Sequence, residues 1–230
     1  MLANNKNLAS SAHSSTRLHG PWRQSSAGLQ AIPAMAGSVV TLHILLAENV
    51  VELEAITQVI RADVGLTIQL LRSAKFRAGS LGNTRIHLSQ IAVELGLDRL
   101  RHMITEIPLL GYEQQISLDL EECISFWLRA RQTARTAEQV AAQVFPQLAE
   151  TAYVAGLLHH LGKIPDLLGW RIPGLESAKS GEIGCHMAQA WSLPELLVDV
   201  IRGDEQACGS RESHWLLRLI NAAEPVVLRG

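Results

Sequence analysis

The chain has 230 residues, 47% hydrophobic and 18% charged, with a formal net charge of -2. That is enough apolar material for one sizeable core or two small ones. With 4% aromatic residues and no basic excess, it offers nucleic acid neither a positive field nor a row of stacking rings. Cys123, Cys185 and Cys208 are odd in number and far apart, which argues against a disulfide framework or a Cys-x-x-Cys metal knuckle and fits a reduced cytoplasm.

In chain order, residues 1–37 are rich in Ser, Asn and Gly, have no apolar period and carry no acid. The bias is similar to that of an organellar transit peptide, but without an amphipathic helix a weakly basic tail that adds little to the core is expected. Val39 to Leu46 then reads as a short helix. The apolar run Val39 to Ala47 is too short for a membrane span and contains Thr41 and His43, so no membrane contact is expected. Glu52 to Ala62 is a second helix, with Leu53, Ile56, Val59 and Ile60 on one stripe.

Asp63 is placed to cap a third helix from Val64 to about Phe76, ended by turn residues from Gly79 to Asn83. Ser89 to Leu95 and Asp98 to Leu109 follow, divided by Gly96, with Asp98 as the expected cap and Pro108 at the exit. The polar segment Gly111 to Ser117 is the expected hinge. Leu118 to Val144 forms a long helix whose buried stripe reads Ile124, Trp127 or Leu128, Ala134, Ala137, Val140, Ala141 and Val144. A helix from Leu148 to His160, apolar on more than one face, is central to the second half.

Beyond it, Lys163 to Leu175 contains two prolines and two glycines and reads as irregular. Further helices run from Ser177 or Ser180 to Trp191, from Pro194, and from Ser210 or Ser213 to about Ala223. No alternating strand and no fixed-period repeat is visible, so the fold class is all-α.

The run Gly156-Leu157-Leu158-His159-His160-Leu161-Gly162-Lys163 resembles the HD superfamily of metal-dependent phosphohydrolases, with His160 where that pattern has aspartate. More of the chain resembles the HDOD family, an HD-related bacterial signalling module that generally lacks catalytic residues. The likeness lies in Asp63-Val64-Gly65-Leu66-Thr67 with Leu70-Leu71-Arg72, in Ile91 to Arg101, in Phe126-Trp127, and in Trp191-Ser192-Leu193-Pro194-Glu195. The resemblance covers roughly Val39 to Ala223 and implies an N-terminal helical bundle packed on an HD-like helical half. The divisions expected are a tail over 1–37, an N-terminal subdomain over 38–115 and an HD-like subdomain over 116–230. Residues 38–225 together would make one HDOD domain.

Hydrolysis at an HD-type site needs a metal held by several His and Asp side chains. Against that pattern, an upstream histidine is replaced by Arg129, a permanent cation. A further histidine is replaced by Ser180, a His-His stretch by Arg202-Gly203-Asp204, and the distal aspartate falls near Asn221 to Glu224, matched to Ala223. His186 lies one turn beyond the expected position. Only His159 clearly survives, so neither a cofactor nor a metal is expected.

The resemblance therefore implies a non-catalytic bacterial regulatory module acting by protein–protein interaction, with cyclic-di-nucleotide signalling proteins among its partners. A groove between the halves, bordered by Arg129, His159, His160 and Arg202, is the expected interaction surface. The competing expectation is a metal-dependent phosphohydrolase acting on a nucleotide or cyclic dinucleotide through His159, His160 and Asp204. Binding of a small nucleotide without turnover is a third. Cys185 beside His186 makes no nucleophile–base pair by adjacency. The basic cluster Arg99, Arg101 and His102 reads as a solvated face.

Overall fold

The structure, a computed structural model, describes residues 31–48, 52–74, 85–110 and 119–227, with side chains to 224. Among the described residues it is all-α: an N-terminal helical bundle packed against a second helical half. The first half holds α1 (Ala36–Ala47), α2 (Leu53–Arg61), α3 (Val64–Ser73), α4 (Leu88–Leu95) and α5 (Leu97–Glu106). The second holds α6 (Leu120–Val144), α7 (Ala149–Leu158), the short α8 (Ile164–Leu167), α9 (Ser180–Ala190), α10 (Glu195–Arg202) and α11 (Arg211–Val227). The expected turn at Gly79–Asn83 and hinge at Gly111–Ser117 lie outside the described residues.

The Asp63 segment works as scaffold. Asp63 is fully buried, and its carboxylate accepts from Leu66 N at 3.2 Å, capping α3, and from Met35 N at 2.8 Å. Burial pushes its pKa up, against the pull of the backbone donors. Thr67 donates to the Ile60 carbonyl at 2.9 Å, and a Cβ on Gly65 would stand 2.4 Å from the Pro33 oxygen. These contacts explain a departure from the expected tail. Residues 32–37 are part of the fold, with Ile32 and Ala34 buried and Ala34 bridged to Leu109. Residues 1–30 lie outside the described residues.

Two further expectations are corrected. Gly96, not Asp98, precedes α5, because α4 runs into α5 through a single residue at φ 80°, a conformation glycine adopts without penalty. Asp98 sits in the first turn and pairs with Arg101 at 3.2 Å. On α6 the buried face is Cys123, Phe126, Trp127, Ala130, Thr133, Ala134, Ala137 and Ala141, whereas Leu128, Val140 and Val144 are exposed. The hydrophobic pattern alone favoured the larger side chains. What decides is the approach of α7: a Cβ on Gly156 would meet the Ala134 Cα at 2.9 Å, so small residues must face it.

One contiguous apolar core runs through both halves, and polar contacts stitch them. Glu150 of α7 accepts from Leu88 N at 2.8 Å and meets His87 at 2.9 Å, while Thr151 accepts from Ile86 N at 2.9 Å. Arg61 pairs with Glu138 across 2.6 Å and lies 4.0 Å over the Tyr153 ring, whose hydroxyl donates to the Arg61 carbonyl. Arg72 stacks on Trp191 at 5.0 Å.

Candidate functional site

The central helix stops at Leu158, two residues earlier than expected, and His159 and His160 occupy the turn that follows. Nδ1 of His159 lies 2.7 Å from the Gly156 carbonyl. A carbonyl only accepts, so Nδ1 carries the proton and Nε2 presents a lone pair. That nitrogen is buried with no hydrogen-bond partner. Burial, reinforced by the neighbouring His160, pushes the His159 pKa down to about 4, so the ring is neutral at pH 7.

Across the turn, His160 Nε2 is 2.6 Å from Glu224 Oε1, and Lys163 Nζ is 3.1 Å from the same nitrogen. A carboxylate at 2.6 Å requires Nε2 to donate, so the Lys163 ammonium stands beside a donor rather than bonded to it. Burial holds the His160 pKa down despite Glu224, and the bond to His160 lowers that of Glu224 although burial opposes it. The two rings are 3.8 Å apart.

These groups open on a cavity of about 470 Å³, walled by Phe126, Arg129, Ala130 and Thr133 of α6, by Lys163, Asp166 and Leu167 around α8, and by Glu224 of α11. The cavity therefore belongs to the second half alone and does not lie between the halves. The loop bearing the histidines is seated on α9, since a Cβ on Gly162 would come within 1.7 Å of the Ser180 oxygen.

Of the residues expected at the groove, Arg129, His159 and His160 share this cavity and Arg202 does not. Its guanidinium bonds Asp199 and the Ala207 carbonyl, each at 3.3 Å, and reaches Cys185 Sγ at 3.4 Å. Asp204 accepts from Gln206 N at 2.9 Å at the start of a short 3-10 turn and is not among the cavity residues. His186 is exposed on α9. The acid that sequence reasoning missed is Glu224, the neighbour of the position matched to the distal aspartate. The available signal was the i, i+4 step on α11 from buried Ile220 to Glu224.

His159, His160 and Glu224 form the group able to hold a metal among the described residues, their ligand atoms within 4.8 Å of one another. The fit is incomplete. Three donors with water in the fourth position would suit a catalytic metal, but Glu224 is engaged by His160, His160 must shed its Nε2 proton to ligate, and Lys163 places an ammonium against the same nitrogen.

The HDOD domain profile matches residues 32–167, more than half of the chain. The chain belongs to the HDOD family. The response regulator MmoQ from Methylococcus capsulatus superposes with a TM-score of 0.66 at 17% identity, over 86% of this chain and 87% of that one. A second structure of that protein, a fragment of residues 20–298, gives 0.59 at 18% identity, covering 86% and 84%. At such identities the likeness is one of fold. An uncharacterised protein of Treponema pallidum (strain Nichols) is 23% identical along an alignment of 193 positions that covers 74% of this chain and 37% of that protein. The chain thus spans little more than a third of the length of that relative. Among the described residues, no helix is long and apolar enough to cross a membrane.

Proposed function

We propose that this HDOD protein is a non-catalytic regulatory module of bacterial signalling that acts in the cytoplasm by binding another protein. The observation that carries the reading is the charge around the histidine turn. Where an HD-type hydrolase concentrates anionic and neutral ligands on a metal, this cavity sets Arg129 and the Lys163 ammonium beside a carboxylate already bonded to His160. The two cations oppose a divalent ion, and His160 and Glu224, bonded to each other, are not free to ligate one. A scaffold of this shape keeps a concave surface for recognition.

Arg129, His159 and His160 border the proposed contact, and proteins of cyclic-di-nucleotide signalling are the class of partner proposed. The test is co-purification from the native host with wild-type protein and with Arg129→Glu. The charge-reversed variant is expected to keep its circular dichroism spectrum and lose the captured partner. Full retention sinks the proposed contact surface.

The bare Nε2 of His159 favours a second reading, a metal-dependent phosphohydrolase acting on a nucleotide or cyclic dinucleotide. Metal analysis of untagged protein and a phosphatase assay with manganese separate the two. The regulatory reading predicts substoichiometric metal and no turnover.

A further inference from the structure

We infer that the outer face of α1 pairs antiparallel with α1 of a second copy of this chain, closing a two-fold symmetric dimer on the first helical half, apart from the histidine cavity.

A helix on a protein surface turns an apolar stripe to the core and charge to water. The neighbouring α5 does so, with Asp98, Arg99, Arg101 and His102 among its exposed residues. Helix α1 does not. Val39, Leu42 and Leu46 are buried, yet α1 contains no Asp, Glu, Lys or Arg, and its exposed residues are Gly37, Val40, Thr41, His43, Ile44 and Ala47. Val40 and Ile44 are 57% and 60% exposed. The Thr41 hydroxyl donates to the Gly37 carbonyl at 2.8 Å, so its donor is already used within the helix.

The spacing says what covers this face. Gly37, Val40, Ile44 and Ala47 stand at i, i+3, i+7 and i+10, the alternating three- and four-residue step of a helix–helix seam. Antiparallel pairing about a two-fold axis sets Val40 against Ile44 of the second copy and Gly37 against its Ala47, so branched side chains meet at the centre and small ones at the ends. Nothing lies within 4 Å of where a Cβ on Gly37 would stand, which leaves that end open to close approach. A face that meets its own copy brings like charge against like, and an uncharged seam avoids that cost.

Beyond the seam the ends are complementary. Helix α1 has no side-chain cap from Met35 and no acid in its first turn, and it ends at exposed Glu48, an anion at the negative end of its own dipole. Asp63 serves the Met35 amide, and no carboxylate among the described residues hydrogen-bonds the first-turn amides of α1. In the antiparallel register Glu48 lies beside Ala36 of the second copy, where unpaired amides and the positive end of the dipole favour an anion.

The test is sedimentation equilibrium of the full chain between about 1 and 100 µM, because a short apolar interface without buried ion pairs binds in the micromolar range. The wild type is expected to reach twice the 25.1 kDa chain mass. Ile44→Glu, which drives two carboxylates into the seam, is expected to weaken the dimer by about a hundredfold while circular dichroism stays unchanged. Val93→Glu, on an α4 residue that is also 60% exposed, is expected to leave the dimer intact. Val40→Glu combined with Ile44→Lys is expected to dimerise again, because across an antiparallel seam the new carboxylate faces the new ammonium, whereas in a parallel pair like would face like. A monomeric wild type, a dimer indifferent to Ile44→Glu, or one that does not return in the double variant overturns the inference. The first of these is the result expected if another segment of this chain or a different protein covers the face instead.

Discussion

Two polar clusters lie in the second half, and they follow opposite rules. Around Asp199, buried at 3% exposure, both carboxylate oxygens are engaged: Oδ2 accepts from Gly209 N and from the Ser213 hydroxyl, both at 2.8 Å, and Oδ1 from Arg202 at 3.3 Å. Ser213 is itself fully buried and ties to Ser210 at the start of α11. Around His159 the bonding is left open, with one bare nitrogen, one crowded ammonium and a cavity. A closed network anchors a fold; an open one reserves its capacity for something else.

The comparison breaks most severely at the closed cluster. Asp199→Ala takes one acceptor from each of Ser213, Gly209 N and Arg202 together and is expected to cost about 3 kcal/mol, read as a lower urea midpoint at unchanged slope. A variant within 1 kcal/mol of wild type would show that the network is ornamental.

Acid distinguishes the two clusters next. The native pKa of His159, about 4, lies below the ordinary 6.5 of the unfolded chain. Above pH 6.5 neither state binds the proton and the stability is unaffected. As pH falls from 6.5 towards 4 the unfolded chain protonates first, so stability declines by up to about 1.4 kcal/mol per unit and levels off below. His160, also depressed, adds to the same trend. The curve for His159→Phe subtracted from wild type isolates this slope, and a flat difference contradicts the neutral, buried ring.

Smaller effects sharpen the contrast. His159→Phe at pH 7 is expected to lose about 1 kcal/mol through the Gly156 bond, and Arg129→Met to change thermal stability by less than about 0.5 kcal/mol. An open site should tolerate such changes where the closed one does not.

Helix positions were legible in the sequence because capping residues and apolar spacing act locally. Asp63, Pro194 and Ser210 stand at or beside the starts of α3, α10 and α11. The family segments were legible too, and their side chains mostly build scaffold: Thr67 on Ile60, Arg101 on the Leu46 carbonyl at 3.1 Å, Trp191 under Arg72. What escaped was set by distant packing. The alanine face of α6 answers to Gly156, the burial of Ile32 and Ala34 to Asp63, and the closeness of Glu224 to His160 spans 64 residues. Arg202 seemed a groove residue because its neighbours align with a ligand stretch, yet Asp199 three residues earlier claims it.

The stitching by Arg61, Glu150, Thr151 and Tyr153 has a thermodynamic consequence. Each bond draws its donor from one half and its acceptor from the other, so cutting the chain near 115 would leave amide hydrogens of Ile86 and Leu88 without acceptors and bare apolar surface on both fragments. Neither fragment is then expected to survive alone, and heat should melt the domain in a single cooperative step.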